Sequence, residues 1–363
     1  MTENKEYKFG SKVRESLYKS FMACLQEETL PWEKGWAVKS QLNPVSKREY
    51  KGINQLLLSF VASERGYSDP RWCTFLQISD EKGEYHKGEK WHLMADSKGV
   101  PVEHWSIYSW QERKTITPRE YELLSQTDPE RAMSYKWTVR TSTVFNLSCV
   151  EGVEAYKEVK FDNHAIDSIS KFCEETLKNM GVTLIYGGDR AFYRPSTDEI
   201  HLPEFDTFKT VEDYYATLLH ETAHSTGAKS RLNREIENPF GTEKYAIEEL
   251  RAETASAMLC GEVGLPSSAR NMDNHKAYIQ SWATELTRDP NILFNAIKDA
   301  DKITDYVIDH GREAYDLIKM PEKKTAEKNK HSMAELKAMA KKHVEEHNNS
   351  DISKKISVPD LSK

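Results

Sequence analysis

The chain has 363 residues, a length that suggests two domains, and a formal net charge of −7 from 51 Lys and Arg against 58 Asp and Glu. No apolar run is long enough to span a bilayer, and the first residues lack the apolar region of a signal peptide. The five scattered cysteines include no C-x-x-C pair, which argues against a disulfide framework or a cysteine zinc site. We therefore expect a cytoplasmic protein with no membrane partner.

The composition of the chain changes near residue 150. Residues 1–150 have a net charge of +2 and contain seven of the eight tryptophans, whereas residues 151–320 have a net charge of −12. Residues 321–363 are rich in Lys, Glu, Asn and Ser and poor in aromatic side chains, so they offer little apolar surface for a core. These changes predict one domain at 1–150, a second at 151–320 and a polar, disordered tail at 321–363.

Aromatic and basic side chains occur together in loop-like parts of the first domain, such as residues 31–36 and 43–52. Tryptophans at these positions can form a core, because aromatic side chains bury large areas. Alternatively, they can stack on unpaired bases while neighbouring cations follow the phosphates. The second interpretation predicts these DNA-binding residues: Trp32, Trp36, Lys47, Arg48, Tyr50, Lys51, Arg71, Trp72, Lys87 and Lys90.

Several sequence blocks of this domain occur in a characteristic order. They include Pro31-Trp32, Tyr50-x-Gly-Ile-Asn54, Gly66-Tyr-x-Asp-Pro-Arg-Trp72, Lys87-Gly-Glu-Lys90 and Val144-Phe-Asn146. On these blocks the domain resembles the N-terminal single-stranded-DNA-binding domain of the ArdC and TraC-primase families. The resemblance implies a mixed α/β fold and single-stranded DNA as a partner.

In the second domain, residues 220–224 form the motif H-E-x-x-H. Apolar residues recur at helical spacing from Val211 to Leu219, with Thr210 as the N-cap and Gly227 near the end of the helix. On such a helix His220 and His224 project from one face and are able to hold one Zn²⁺. Zinc lowers the pKa of a coordinated water to about 7, and the intervening Glu221 is placed to act as the general base. The motif predicts hydrolysis of peptide or amide bonds.

A third metal ligand is available in the helical stretch 245–259. Glu249 and Glu253 lie one turn apart on one face of this helix, among alanines that permit close packing. We predict Glu249 as the metal ligand and Glu253 as a carboxylate that accepts a hydrogen bond from a ligand histidine. Glu248 and Glu253 remain alternative ligands.

A glutamate on a second helix after H-E-x-x-H resembles the gluzincin arrangement, and residues 189–264 resemble the metallopeptidase domain of ArdC-type antirestriction proteins. The matching residues are Tyr193, Asp198, Ile200, Leu202, Pro203, the motif 219–224, Ser225-Thr-Gly227, Arg231-Leu-Asn233, Tyr245 and 248–253. The resemblance implies an α+β chain whose second domain is mostly helical with a small sheet. In zincins an edge strand pairs with extended substrate, and residues 190–202 are expected to supply it. Helical spacing at 274–286 and 290–310 predicts further helices.

Three functions are compatible with these features. The first is an antirestriction protein of a mobile element that binds single-stranded DNA and hydrolyses peptide bonds with one Zn²⁺ per chain. The second is a DNA-binding antirestriction protein with a purely structural metal site, in which Glu221 has no role. A primase accessory is the third, although the chain has no polymerase motif. The sequence does not identify the protein substrate.

Overall fold

The computed structural model describes residues 7–30, 40–80, 82–83, 85–86, 89–157, 163–239, 241–265 and 275–319. The chain divides into two compact units, one comprising residues 1–20 and 40–158 and the other residues 21–39 and 159–363. The polar tail predicted at 321–363 lies outside the described residues. Both units contain helices and small sheets, and this mixed α/β architecture confirms the predicted fold class.

The first unit contains short helices around one principal sheet. Its elements in chain order are α1 (Lys12–Gln26, which begins in this unit), β1 (Leu42–Asn43), β2 (Arg48–Glu49), α2 (Gly52–Glu64), β3 (Trp72–Thr74), α3 (Phe75–Ser79), β4 (His92–Leu93), β5 (Val100–Ser109), β6 (Lys114–Ile116), α4 (Pro118–Thr127), α5 (Pro129–Ala132), β7 (Tyr135–Asn146) and β8 (Val150–Glu151). Strands β1 and β2 form one two-stranded sheet and strands β4 and β8 form another.

The principal sheet is antiparallel, with strand order β3-β7-β5-β6. Strands β5 and β7 are its longest pair, in register from Val100 opposite Val144 to Ser109 opposite Tyr135. Near the first pair, Val100, Val102 and Val144 are buried on one face of the sheet. Side chains alternate between the two faces of a strand, so the odd-numbered and even-numbered residues of each strand face opposite ways.

The second unit is mostly helical and has one small sheet. Its elements are α6 (Asn163–Met180), β9 (Thr183–Tyr186), β10 (Phe192–Arg194), β11 (Glu199–Leu202), α7 (Val211–Ser225), α8 (Glu243–Val263), α9 (His275–Arg288), α10 (Asn291–His310) and α11 (Arg312–Lys319). Strands β9 and β11 are parallel, and β10 pairs antiparallel with β11 at the outer edge of the sheet. Helices α9 and α10 lie where helical spacing predicted them.

Helices α7 and α8 pack closely in the interior of this unit. Thr210 caps α7, since its hydroxyl accepts a hydrogen bond from the Asp213 amide while the Asp213 side chain accepts one from the Thr210 amide. Small buried residues on α8 allow a close approach, and the Ser256 hydroxyl donates a hydrogen bond to the Ala216 carbonyl of α7 at 3.3 Å. Among the described helices, none is both long and apolar enough to cross a membrane.

Candidate metal centre

The two histidines of α7 meet one glutamate of α8. The Nε2 atoms of His220 and His224 are 3.0 Å apart. The Glu249 carboxylate lies 3.7 Å from His220 Nε2 through one oxygen and 3.4 Å from His224 Nε2 through the other. Ligand atoms placed about 2.0–2.1 Å from a tetrahedral zinc lie roughly 3.3 Å from each other, so the three side chains fit one divalent ion.

The charge around this cluster also favours a cation. Glu221, Glu248, Glu249 and Glu253 are all buried beside the two histidines. The arginines that approach the cluster, Arg234 and Arg251, both contact Glu248. Buried carboxylates are strongly disfavoured without compensating positive charge, so the local excess of negative charge suits a divalent metal.

Each histidine has a carboxylate behind its outer ring nitrogen. Glu253 lies 3.4 Å from Nδ1 of His220, and Glu248 lies 3.4 Å from Nδ1 of His224. Such partners fix the tautomer and the orientation of a ligand imidazole. Glu248, which the sequence left as an alternative ligand, therefore lies beside the outer nitrogen of a ligand histidine, as was predicted for Glu253.

Arg234 holds Glu248 in place and was not predicted from the sequence. Its guanidinium donates to both Glu248 oxygens, at 2.8 and 3.2 Å, and to the Thr226 hydroxyl at 2.7 Å and the Ala223 carbonyl at 2.9 Å. Burial raises the pKa of Glu248, but His224 and Arg234 outweigh burial and lower it to about 2. An arginine ten residues after the motif carries no sequence signal for this role.

Replacing Arg234 by Ala is expected to weaken metal binding by roughly 10–100-fold, because the carboxylate that orients His224 loses its support. Breaking this buried ion pair is also expected to lower the free energy of unfolding by about 3 kcal/mol. Competition with a chelator and thermal unfolding measure the two effects. Lys244→Ala, which breaks an exposed ion pair with Glu235, is the matched control and should change neither quantity. Wild-type metal affinity in Arg234→Ala would contradict this role.

Glu221 lines a cleft next to the metal-binding side chains. The cleft has a volume of about 710 Å³, and His220, His224, Glu249 and Tyr245 also line it. Burial and the nearby Glu249 carboxylate raise the pKa of Tyr245, so its phenol stays protonated as a hydrogen-bond donor. The cleft therefore contains a carboxylate that can accept a proton and a phenol that can donate a hydrogen bond.

Strand β10 forms part of the cleft wall through Phe192 and Tyr193. The turn after it is fixed by Arg231, which binds the Asp198 carboxylate, the Tyr193 hydroxyl at 3.1 Å and the Ser225 carbonyl at 2.8 Å. The Tyr193 hydroxyl donates to Asp198 at 2.7 Å. This network ties the edge strand to the end of α7, which carries the histidines.

Asp198→Asn is expected to lower the free energy of unfolding by about 1 kcal/mol, because a charged hydrogen-bond acceptor of Arg231 is lost. Asn tolerates the left-handed backbone found at this position, φ 55°, so the substitution isolates the charge. Burial opposes ionisation of Asp198, but Arg231 and Tyr193 hold its pKa below the ordinary 3.8. The stabilisation is therefore present above about pH 4 and lost as the pH falls further. Thermal unfolding from acid to neutral pH should show the two proteins converging in acid; a constant difference would contradict this account.

His201 is not part of the metal-binding group of described residues. Its ring stacks on Phe192, with centroids 4.6 Å apart and planes 7° apart, and its Nε2 lies 3.1 Å from a Glu199 oxygen. His201 belongs to β11, and these contacts hold its ring against the neighbouring strand β10.

The predicted DNA-binding residues that the structure describes differ in their exposure and contacts. Lys47, Arg48, Lys51 and Lys90 are exposed, and Tyr50 is half-buried. Another predicted residue, Arg71, forms an ion pair with Asp69 and donates to the Glu154 carbonyl. Three further predicted residues lie outside the described part of the chain: Trp32, Trp36 and Lys87.

The structure corrects the prediction for Trp72. Its side chain is 0% exposed, and its indole N–H donates to Gln41 Oε1 at 2.6 Å. An indole with no accessible face has no surface on which a base can stack. Trp72 is therefore a core residue of the principal sheet, as the alternative interpretation of the tryptophans required.

Trp72→Ala is expected to lower the free energy of unfolding by about 3 kcal/mol or more, because it leaves a large cavity and removes the hydrogen bond from the indole to Gln41. Chemical denaturation measures this change. Trp137→Ala, at a position 55% exposed in the same sheet, is the control and should have a much smaller effect. Equal destabilisation by the two substitutions would contradict the core assignment.

Comparisons with known proteins cover both units. Residues 171–299 match a family described as zincin-like metallopeptidase, and residues 11–145 match the N-terminal domain of anti-restriction factor ArdC. The uncharacterized protein y4eC of Sinorhizobium fredii is 32% identical over 82% of this chain and 90% of its own length. The crystal structure of the antirestriction ArdC protein from the R388 plasmid, in its metal-free form, is 26% identical and superposes with a TM-score of 0.62 over 84% of this chain and 99% of that one. The chain belongs to the ArdC family of antirestriction proteins.

Other relatives of this ArdC-family chain add two facts. The Mn(II)-bound structure of the R388 protein superposes with a TM-score of 0.61, at 26% identity over 83% of this chain and 98% of that one. Two DNA primases TraC of Escherichia coli are 36% and 37% identical over 78% of this chain, but the chain spans only 26% and 19% of their lengths. The resemblance stated from sequence is thus confirmed for both domains, and the zincin-like domain indicates a divalent metal.

Proposed function

We propose that this ArdC-family chain is a metal-dependent peptidase that also binds single-stranded DNA, and that it protects the DNA of a mobile element from restriction. The observation that carries the proposal is the convergence of His220, His224 and Glu249 on one point of a cleft that Glu221 also lines. A structural metal site has no use for an acidic residue at that place. This favours peptidase activity over a site that only stabilises the fold.

The side chains of the cleft have distinct roles in the proposed reaction. A divalent ion held by His220, His224 and Glu249 would supply Lewis-acid activation of water and of the scissile carbonyl. Zn²⁺ is the ion we propose, at one per chain, with Mn²⁺ as the ion to test beside it. Glu221 removes a proton from the attacking water and returns it to the leaving amine. The Tyr245 phenol, kept protonated by burial, donates a hydrogen bond where negative charge develops on the carbonyl oxygen.

The substrate chain is proposed to bind along β10. This strand is at the outer edge of its sheet and lines the cleft, so its outward backbone groups are able to pair with an extended peptide. The contacts of Arg231 with Asp198 and Ser225 hold this edge strand in a fixed position relative to α7. Strand addition recognises mainly the backbone, so the cleft itself supplies the side-chain selectivity.

Single-stranded DNA binding is proposed for the first unit. Support comes from the match of residues 11–145 to the ArdC N-terminal domain, from the similarity to TraC primases, and from the exposed cations Lys47, Arg48, Lys51 and Lys90. No part of this argument depends on the metal site.

The peptidase proposal is tested with unfolded casein as the probe. The wild-type protein should release peptides when loaded with Zn²⁺ or Mn²⁺, lose activity in a chelator and regain it on reloading. Anisotropy of a labelled oligothymidine tests DNA binding separately. If the metal-loaded protein binds oligothymidine but cleaves neither casein nor the subunits of a restriction enzyme, the peptidase proposal is wrong. The result would then support the alternative of a DNA-binding protein with a purely structural metal site.

A further inference from the structure

The pair of long strands β5 and β7 exposes a face that the predicted DNA-binding residues did not include. The register places His104 opposite Arg140, Ser106 opposite Thr138 and Tyr108 opposite Lys136. A hydrogen bond of 2.9 Å between the Ser106 and Thr138 hydroxyls shows that these even-numbered side chains share one side of the sheet. We call the six residues the basic face.

An exposed tryptophan continues the basic face at the end of β5. Trp110 is 66% exposed, and its ring packs edge-on against that of Tyr108, with centroids 4.9 Å apart. The Tyr108 contact orients the indole while leaving most of it accessible. An oriented, solvent-exposed indole is an efficient stacking surface because little conformational entropy is lost on binding.

The charge of the basic face is positive. Lys136 and Arg140 are exposed, and neither forms an ion pair with a residue in the described ranges, whereas the nearby Arg131 is neutralised by Glu112. No position of the basic face is acidic. Free cations beside an exposed aromatic ring are complementary to a polyanion whose bases are unpaired, since duplex DNA would offer phosphates but no accessible base faces.

The opposite side of the same strands has exposed apolar side chains and a buried carboxylate in place of the cations. Trp105, Trp137 and Val139 are exposed there, but the Trp105 indole N–H donates to the Glu103 carboxylate at 2.8 Å and the Arg14 guanidinium lies over its ring at 5.8 Å. The buried Glu103 makes this side less favourable for phosphates. It therefore provides an internal comparison with two exposed tryptophans and without Lys136 and Arg140.

We infer that the basic face is where single-stranded DNA binds, with one base stacked on Trp110 and with Lys136 and Arg140 contacting phosphates. This rests on the proposed DNA binding of the first unit and gives it a location. The binding surface is thereby centred on the long β5–β7 pair.

The experiment measures anisotropy of fluorescein-labelled oligothymidine of about 16 nucleotides with the full chain at several salt concentrations. Trp110→Ala should weaken binding by about ten-fold and Trp110→Phe by less, as expected for loss of one stacked base. The double variant Lys136→Ala, Arg140→Ala should reduce the slope of log affinity against log salt by about 1.4, or 0.7 for each phosphate contact. Trp137→Ala, a neighbour on the opposite side, should bind as wild type.

The outcomes separate this inference from the function on which it rests. All substituted positions are exposed, so circular dichroism and thermal unfolding should match the wild type and exclude misfolding. If the wild type binds oligothymidine and the Trp110 and Lys136/Arg140 variants bind equally well, the inference is overturned while DNA binding stands. Equal loss in Trp137→Ala, or displacement of the probe by duplex as readily as by single strands, also overturns it. If the wild type fails to bind, both proposals fail.

Discussion

Replacement of Glu221 by Gln is expected to reduce kcat for casein cleavage by roughly 10²–10⁴-fold while the metal content stays at the wild-type level. Gln has nearly the same shape as Glu, so the cleft and the metal-binding side chains keep their places. It is unable to accept a proton near neutral pH, so the attacking water is no longer activated by a base. Peptide release and elemental analysis on the same preparation measure the two quantities together.

Glu212→Gln is the matched control for this substitution, because Glu212 is on the same helix but does not line the cleft. Its activity should equal that of the wild type. If Glu221→Gln retains full activity, Glu221 is not the base and the proposed mechanism is wrong. If both the activity and the metal are lost, Glu221 maintains the site instead of acting in the chemical step.

Replacement of His224 by Ala is expected to abolish stoichiometric metal binding, because one of three ligand atoms is removed and two ligands hold a divalent ion poorly. Elemental analysis for zinc and manganese should give about one ion per chain for the wild type after reconstitution and almost none for the variant. Thermal unfolding gives an independent readout. Metal at 100 times its dissociation constant stabilises the wild type by about 2.7 kcal/mol, and the variant should gain nothing.

His201→Ala provides the control, since this histidine is stacked on Phe192 and does not belong to the cluster of ligand atoms. It should retain one ion and the metal-dependent rise in thermal stability. A wild-type protein that takes up neither zinc nor manganese would contradict the metal centre itself. An ion retained by His224→Ala but lost from His201→Ala would show that the ligands have been assigned to the wrong histidine.

The local features of the metal centre are predictable from sequence because they depend on residues close together in the chain. The helical spacing from Val211, the Thr210 cap and the four-residue separation of His220 and His224 all follow from helix geometry. Helix geometry does not decide which of Glu248, Glu249 and Glu253 is the metal ligand, because adjacent turns of α8 present all three toward the same region. Only the packing of α8 on α7 determines which carboxylate faces both Nε2 atoms.

Residues that act across long sequence separations escape prediction from pattern alone. The contact of Arg234 with Glu248 depends on the path of the chain between α7 and α8, and no local periodicity encodes it. The tryptophans illustrate the same difficulty. Trp72 and Trp110 are both in polar, turn-rich sequence, yet Trp72 is buried in β3 and Trp110, in the turn after β5, is 66% exposed. Burial of each indole depends on tertiary packing that the local sequence does not encode.

The outer edge of β10 has a consequence for the proteins that the proposed peptidase would be able to attack. A substrate that pairs with this three-residue edge must be extended for several residues and must have unpaired backbone groups there. Helices are not extended, and strands inside folded sheets are already hydrogen-bonded to their neighbours. Cleavage of a compact target would thus depend on how often one of its segments opens. When opening is fast compared with cleavage, the rate follows the population of the open form. A stable enzyme would be spared, whereas one with a long exposed loop or a partly assembled subunit would be cut, so the fold of the target would act as a determinant of specificity.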